Sequence, residues 1–152
     1  MNHSQDEAII RRKLAIYREA WLGSDLDGFA SLWDSGYPRL TYMPMERARP
    51  LRDWPSIIQY WQTILPMTKM ERWDVGEVTF DFITPEVAWV FSEHSFAYRV
   101  TDGSQEGLQA YEARTTHVFR ADGAGDWKVI HYEDSIQWFA SSDVARRTAS
   151  PT

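Results

Sequence analysis

The stretch that decides the fold runs from Thr115 to Ser135 and reads TTHVFRADGAGDWKVIHYEDS. Two runs of strand-forming residues flank Asp122-Gly123-Ala124-Gly125, the pattern of a β-hairpin with a longer loop. Inside it His117, His131 and Asp134 stand beside apolar neighbours. A hairpin of this kind near the end of a small domain can set an acid and a base on the wall of a pocket.

Working backward from the hairpin, the hydrophobic period is two as far as Arg72. Strands are expected at 72–83, 87–100, 108–121 and 127–138, with turns at Pro85-Glu86 and Asp102-Gly103-Ser104. Before Arg72 the period is helical. Ile10, Leu14, Tyr17 and Trp21 form one apolar stripe of a helix over 5–22, capped by Ser4 or Asp6 and ended by Gly23. Asp25 reads as the N-cap of a short second helix that turns Leu26, Phe29, Leu32 and Trp33 inward. Leu40-Thr41-Tyr42-Met43 is a short strand stopped by Pro44. A third helix starts with Asp53 as N-cap and Pro55 in its first turn, buries Ile57, Ile58, Trp61, Ile64 and Leu65, and stops before Pro66. Helices followed by an antiparallel meander make an α+β domain with the helices on one face of the sheet. The domain is expected over 1–139, with 140–152 (ASSDVARRTASPT) as a polar C-terminal tail.

Composition narrows the function classes. The chain has 152 residues, enough for one well-filled core. A net charge of −6 argues against nucleic acid, and Arg11-Arg12-Lys13 reads as a solvated helix face. With no Cys there is no disulfide, thiolate nucleophile or Cys-based zinc site. His131 and Glu133 share a face, but no third metal ligand stands at a familiar spacing. There is no phosphate-binding Gly-rich loop between strand and helix and no G-x-S-x-G elbow, so no cofactor is expected. No apolar run approaches about 18 residues and no secretory leader pattern opens the chain; a soluble, cytoplasmic protein is expected. Eight Trp within a 14% aromatic content suit either a bulky core or a pocket for a flat, greasy ligand.

The order of elements resembles the nuclear transport factor 2-like superfamily, and within it SnoaL-like and kinase-association-type domains. Tyr17 stands eight residues before Asp25-Leu26-Asp27-Gly28, like the "GDLDG" phrase of ketosteroid isomerases, and Trp127-Lys128-Val129-Ile130-His131-Tyr132 is similar to the closing strand of kinase-association domains. The resemblance implies a cone: three N-terminal helices packed on a strongly curved antiparallel sheet.

Alternation alone leaves two candidate inner faces. One holds Val90, Ser92, His94, Phe96 and Tyr98 with Tyr111, Thr115, His117 and Phe119; the other holds Trp89, Phe91, Glu93, Ser95 and Arg99 with Glu112, Arg114, Thr116 and Val118. The resemblance selects the first. His117 falls where the isomerases carry a hydrogen-bond-donating Asp and where kinase-association domains carry a cavity Arg, and His94 and Asp134 approximate two further cavity positions. The implied wall is His94, Phe96, Tyr98, Thr115, His117, Phe119, Ile130, Tyr132 and Asp134, with Tyr17 and Trp61 from the helices, and Met43 is expected among the substrate contacts. Met43 takes the place of the isomerase base, so steroid-type isomerisation by that route is not expected.

Tyr17 and His117 on one substrate oxygen would form an oxyanion-hole pair, in which one donor is worth about 3–4 kcal/mol. Asp134 or His94 then serves as base; if Asp134 instead orients a histidine, that histidine is the base. Each residue also has a plain structural reading as packed core, and Arg47, Arg49 and Arg52 read as solvated loop charges. The expected function is a cofactor-free acid–base enzyme (lyase or elimination, isomerase or cyclase) acting on a hydrophobic, aromatic or polyketide-like oxygenated molecule. The alternative is a non-catalytic binding or dimeric association domain. A homodimer is expected through the outer sheet face, with Trp89, Phe91 and Trp127 as its apolar patch.

Overall fold

The computed structural model describes residues 3–104 and 107–136; the expected tail at 140–152 lies outside them. Eight elements follow in chain order: α1 (His3–Gly23), α2 (Leu26–Leu32), β1 (Thr41–Met43), α3 (Trp54–Met67), β2 (Thr68–Thr84), β3 (Val87–Val100), β4 (Gln109–Ala121) and β5 (Trp127–Ile136). The strands form one sheet in the order β1-β5-β4-β3-β2. All neighbours are antiparallel except β1, which lies parallel to β5 with Tyr42 opposite Tyr132. The α+β architecture of three helices on a curved sheet is the expected one.

Local chemistry sets most of the boundaries. Asp25 and Asp53 are the N-caps of α2 and α3, accepting from the amides of Gly28 at 3.0 Å and Ser56 at 2.8 Å. Three helix ends differ from expectation. Helix α1 already includes Ser4 and Asp6, so neither caps it. The turn after α1 is made by Ser24 at φ 50° rather than by Gly23. Helix α3 passes through Pro66 to Met67, because a proline in the last turn forfeits a single intrahelical bond. The Pro66 carbonyl instead accepts from Thr101 Oγ1 at 2.8 Å, and that of Met67 from the Thr101 amide at 2.9 Å. Strand β2 begins four residues before Arg72, since Thr68, Lys69 and Met70 pair with Val100, Arg99 and Tyr98.

The β4–β5 turn is organised by Asp122, whose Oδ1 accepts from the amides of Ala124 and Asp126 at 2.9 Å each. Gly125 supplies the positive φ of 82° that closes it. Beyond the turn a β-bulge matters more. Tyr132 pairs with His117 and His131 with Val118, but Phe119 then pairs with Val129, leaving Ile130 as the extra residue. The bulge reverses the alternation of the first half of β5. Trp127 therefore faces the helices, nearly fully buried, with its Nε1 donating to Asp6 Oδ1 at 3.0 Å. It is not part of an outer apolar patch, and Ile130 sits at the bulge, away from the main cavity. Trp89 and Phe91 do remain on the outer face, half-buried and stacked at 5.9 Å.

The core lies between helices and sheet. Phe29 stacks on Trp61 at 3.9 Å, and Ala88, Val90, Phe96, Ala113 and Phe119 close it from the sheet. Ser92, His94, Thr115 and His117 are buried on this same face, so the inner face is the expected one.

Candidate active site

Asp134 follows Tyr132 by two residues on β5 and points to the same side of the sheet. The Tyr132 hydroxyl donates to Asp134 Oδ2 at 2.8 Å, while Oδ1 is buried without a partner. Burial raises the Asp134 carboxyl to about 7; the bond from Tyr132 opposes the rise and the Glu46 charge adds to it. This carboxyl lines a cavity of about 350 Å³ between α3, the β1–α3 loop and the open ends of β2, β3 and β4.

The cavity wall is aromatic. Trp21 from α1 stacks on Trp73 from β2 at 6.0 Å, and Phe96, Tyr98 and Tyr111 continue the surface along β3 and β4. Trp21 Nε1 is buried beside the Tyr17 hydroxyl with no well-aligned partner, while the Trp21 side chain belongs to this wall. The loop after β1 contributes Glu46, which accepts a short hydrogen bond from the Tyr60 hydroxyl of α3. Burial, and then the Glu46 charge, push that phenol far up, so it stays protonated.

The expected residues divide into two groups. Asp134, Phe96 and Tyr98 line the cavity. Tyr17, His94, Thr115, His117, Phe119 and Tyr132 lie deeper, around two voids of about 10 and 20 Å³, each with room for about one water. His94 stacks on Trp73 at 4.5 Å, and its Nδ1 lies 3.0 Å from Thr115 Oγ1. His117 packs against Tyr132 and Phe119 with its Nδ1 unpartnered. Burial lowers His94 to about 4; it lowers His117 to about 3, with the His94 charge adding to the effect. Both are neutral at physiological pH. The Tyr17 hydroxyl is buried between Tyr132 and Trp21 with no aligned partner. Trp61 is enclosed in the core, away from the cavity. Met43 is also absent from the cavity wall, because alternation in β1 turns Tyr42 inward in its place.

Glu46, Tyr60, Trp21, Trp73 and Tyr111 complete the site, although the sequence does not single them out as site residues. Tyr111 shares the alternation of Thr115 and His117, and Trp21 lies on the apolar stripe of α1, so both carry a signal. Glu46 lies in an aperiodic loop and carries none. Among the described residues no three His, Asp or Glu side chains gather as a metal site, and no helix is long and apolar enough to cross a membrane.

No protein-family model matches the chain, and no curated protein matches it in sequence. Solved structures do match. A nuclear transport factor 2-like superfamily protein from Salmonella enterica serovar Typhimurium superposes with a TM-score of 0.74 at 15% identity, covering 91% of this chain and 95% of the other. The chain has the nuclear transport factor 2-like fold. A candidate scytalone dehydratase from Novosphingobium aromaticivorans shares this fold with a TM-score of 0.74 at 13% identity, covering 89% and 86% of the two chains. A hexachlorocyclohexane dehydrochlorinase shares it with a TM-score of 0.73 at 13% identity, covering 91% and 89%. In this fold the two water-sized voids around the histidines and the larger Asp134 cavity are separate spaces.

Proposed function

We propose that the chain is a cofactor-free acid–base enzyme, of the lyase or elimination, isomerase or cyclase type, acting on a hydrophobic oxygenated small molecule in the Asp134 cavity. The observation that carries this reading is Asp134 itself: a buried carboxyl, raised to about 7, with an unpartnered oxygen on an aromatic cavity. An ordinary surface carboxylate is a weak base, whereas one held near neutrality is matched to proton transfer at physiological pH. Structural neighbours named as a dehydrochlorinase and a candidate dehydratase support the reaction class without fixing the substrate.

In this reading Asp134 Oδ1 takes a proton from a substrate carbon. The C–H electron pair becomes a carbon–carbon double bond as either a leaving group departs from the neighbouring carbon with its bonding pair, or a carbonyl π pair moves onto its oxygen. In the second case the enolate then collapses and takes the proton back from Asp134 at another carbon. The space beside Tyr17 and His117 is only water-sized, so the substrate oxygen lies in the larger cavity and not between those two donors. Tyr132 orients the base. The Tyr60 hydroxyl, held by Glu46 on the same cavity, is a polar contact for a departing oxygen. The second copy of a homodimer would cover Trp89 and Phe91; light scattering showing only monomer at micromolar concentration would remove that part.

The decisive experiment works without the natural substrate. Neutral aryl ketones such as beta-tetralone are incubated with the protein in deuterated buffer, and mass spectrometry follows loss of α-protons. Exchange that disappears in Asp134→Asn supports the base. Binding without exchange would make the chain a ligand-binding domain.

A further inference from the structure

The charge of the Asp134 cavity is one-sided. Its two carboxylic lining residues are Glu46 and Asp134, and among the described residues that line it there is no Lys, Arg or His. The arginines of the neighbouring loop do not compensate. Arg47, Arg49 and Arg52 are exposed and absent from the wall, and Arg47 Nε is turned to the Arg49 carbonyl at 3.4 Å. Glu46 is engaged by a neutral phenol and Asp134 by another, so neither carboxyl has a cationic partner among the described residues. Around these acids the surface is built largely from aromatic side chains, including Trp21, Trp73, Tyr60 and Tyr111. A cavity that joins aromatic faces to unneutralised carboxyls is complementary to positive charge: the rings attract a cation through their quadrupoles, and the carboxylates do so directly. The same surface penalises a carboxylate or phosphate ligand, which would be desolvated beside two acids.

We propose that the cavity takes an organic cation, an ammonium or protonated amine on an apolar or aromatic body, seated against Trp21, Trp73 and Tyr60 with Glu46 and Asp134 as its counter-charges. The proposal rests on the same cavity as the enzymatic reading and narrows its substrate class to molecules bearing a cationic nitrogen. It also gives Glu46 a role in ligand selection beside any role in proton transfer. A cation held by Glu46 removes the repulsion that this charge exerts on Asp134, so the ligand itself favours the ionised base.

Two probes of nearly identical shape isolate the charge: para-hydroxyphenyl-trimethylammonium and para-tert-butylphenol. Their binding to the intact protein is measured by calorimetry at pH 7.5 and low salt. The ammonium is expected to bind about tenfold tighter or better than its neutral isostere. That preference should fall to near parity in Glu46→Gln combined with Asp134→Asn, while the neutral phenol keeps its affinity and so reports an intact cavity. Equal or tighter binding of para-tert-butylphenol by the unaltered protein overturns the proposal, as does failure of both probes to bind. The two readings separate cleanly. Deuterium exchange of neutral ketones, lost in Asp134→Asn, would sustain the acid–base enzyme even where no cation preference exists. A cation preference without any exchange would leave a binding protein for amines.

Discussion

Tyr132 and Asp134 are coupled on one face of β5: the phenol donates to Asp134 Oδ2 at 2.8 Å and leaves Oδ1 buried with no partner. One oxygen is thus fixed, and the other has no side-chain partner, with the Met45 amide close to the carboxyl. The groups that act on this carboxyl are Tyr17 from α1, Tyr42 from β1, the Met45 amide and Glu46 from the loop, Tyr60 from α3, Tyr132 on the same face of β5, and the charge of neighbouring Glu133. No cation stands among them, which is why burial prevails and the group titrates near neutrality.

The proton-exchange rate should therefore rise with pH through an apparent pKa near 7, since only the ionised carboxyl accepts a proton. The phenols facing it are pushed upward and do not titrate in this range. A flat profile between pH 5.5 and 8.5, recorded on the neutral ketones, would remove Asp134 from the role of base.

Tyr132→Phe tests the coupling directly. The hydrogen bond stabilises the ionised form, so its loss should move the midpoint of the same profile upward by about one unit, the size of a bond to a charged group. Activity well above the new midpoint should be largely retained. A downward shift would mean that Tyr132 accepts from a protonated Asp134.

Stability should follow pH with two opposing signs. His94 and His117 titrate near 4 and 3 in the folded chain, below their ordinary value of 6.5, so between about 4 and 6.5 unfolding takes up two protons at these residues, and burial lowers His131 as well, which adds uptake of the same sign. This stability is lost as pH falls. Asp134 is raised from 3.8 to about 7, so in that window unfolding releases one proton, and its contribution is lost as pH rises. The net uptake of roughly one proton makes stability climb by about 1.4 kcal/mol per pH unit near pH 5, and Asp134→Asn should about double that slope. Urea denaturation at pH 5 and 6 measures both; an unchanged slope in the variant would mean that Asp134 is not raised.

How much is legible in the sequence follows from what each element depends on. The two Asp caps, the helix stripes and the Gly-containing hairpin are local, and they read correctly. The inner face carrying His94, Thr115 and His117 comes from alternation joined to a resemblance. Depth along the cone is not readable, because alternation says which side a residue faces and nothing of how far from the opening it lies. His117 and Asp134 share a face, yet one is in the core and the other on the cavity. Glu46 is invisible because a loop has no period. Trp127 is misplaced by simple alternation because one bulged residue, Ile130, reverses parity and leaves no mark in composition.

That reversal has a consequence for stability. Since Trp127 faces α1, its Nε1–H to Asp6 Oδ1 bond at 3.0 Å ties the first turn of the chain to the start of β5 across 121 positions. Trp127→Phe keeps most of the ring and removes the donor, and Asp6→Ala removes the acceptor. Each should destabilise the fold by about 1–2 kcal/mol, and the double variant should cost less than the sum by about 1 kcal/mol, because both changes delete the same bond. Thermal or urea unfolding of the four proteins closes the cycle. Strict additivity would show that the bond contributes nothing, and that Trp127 is held by its apolar contacts, including the edge-on packing with Phe82 of β2 at 5.9 Å.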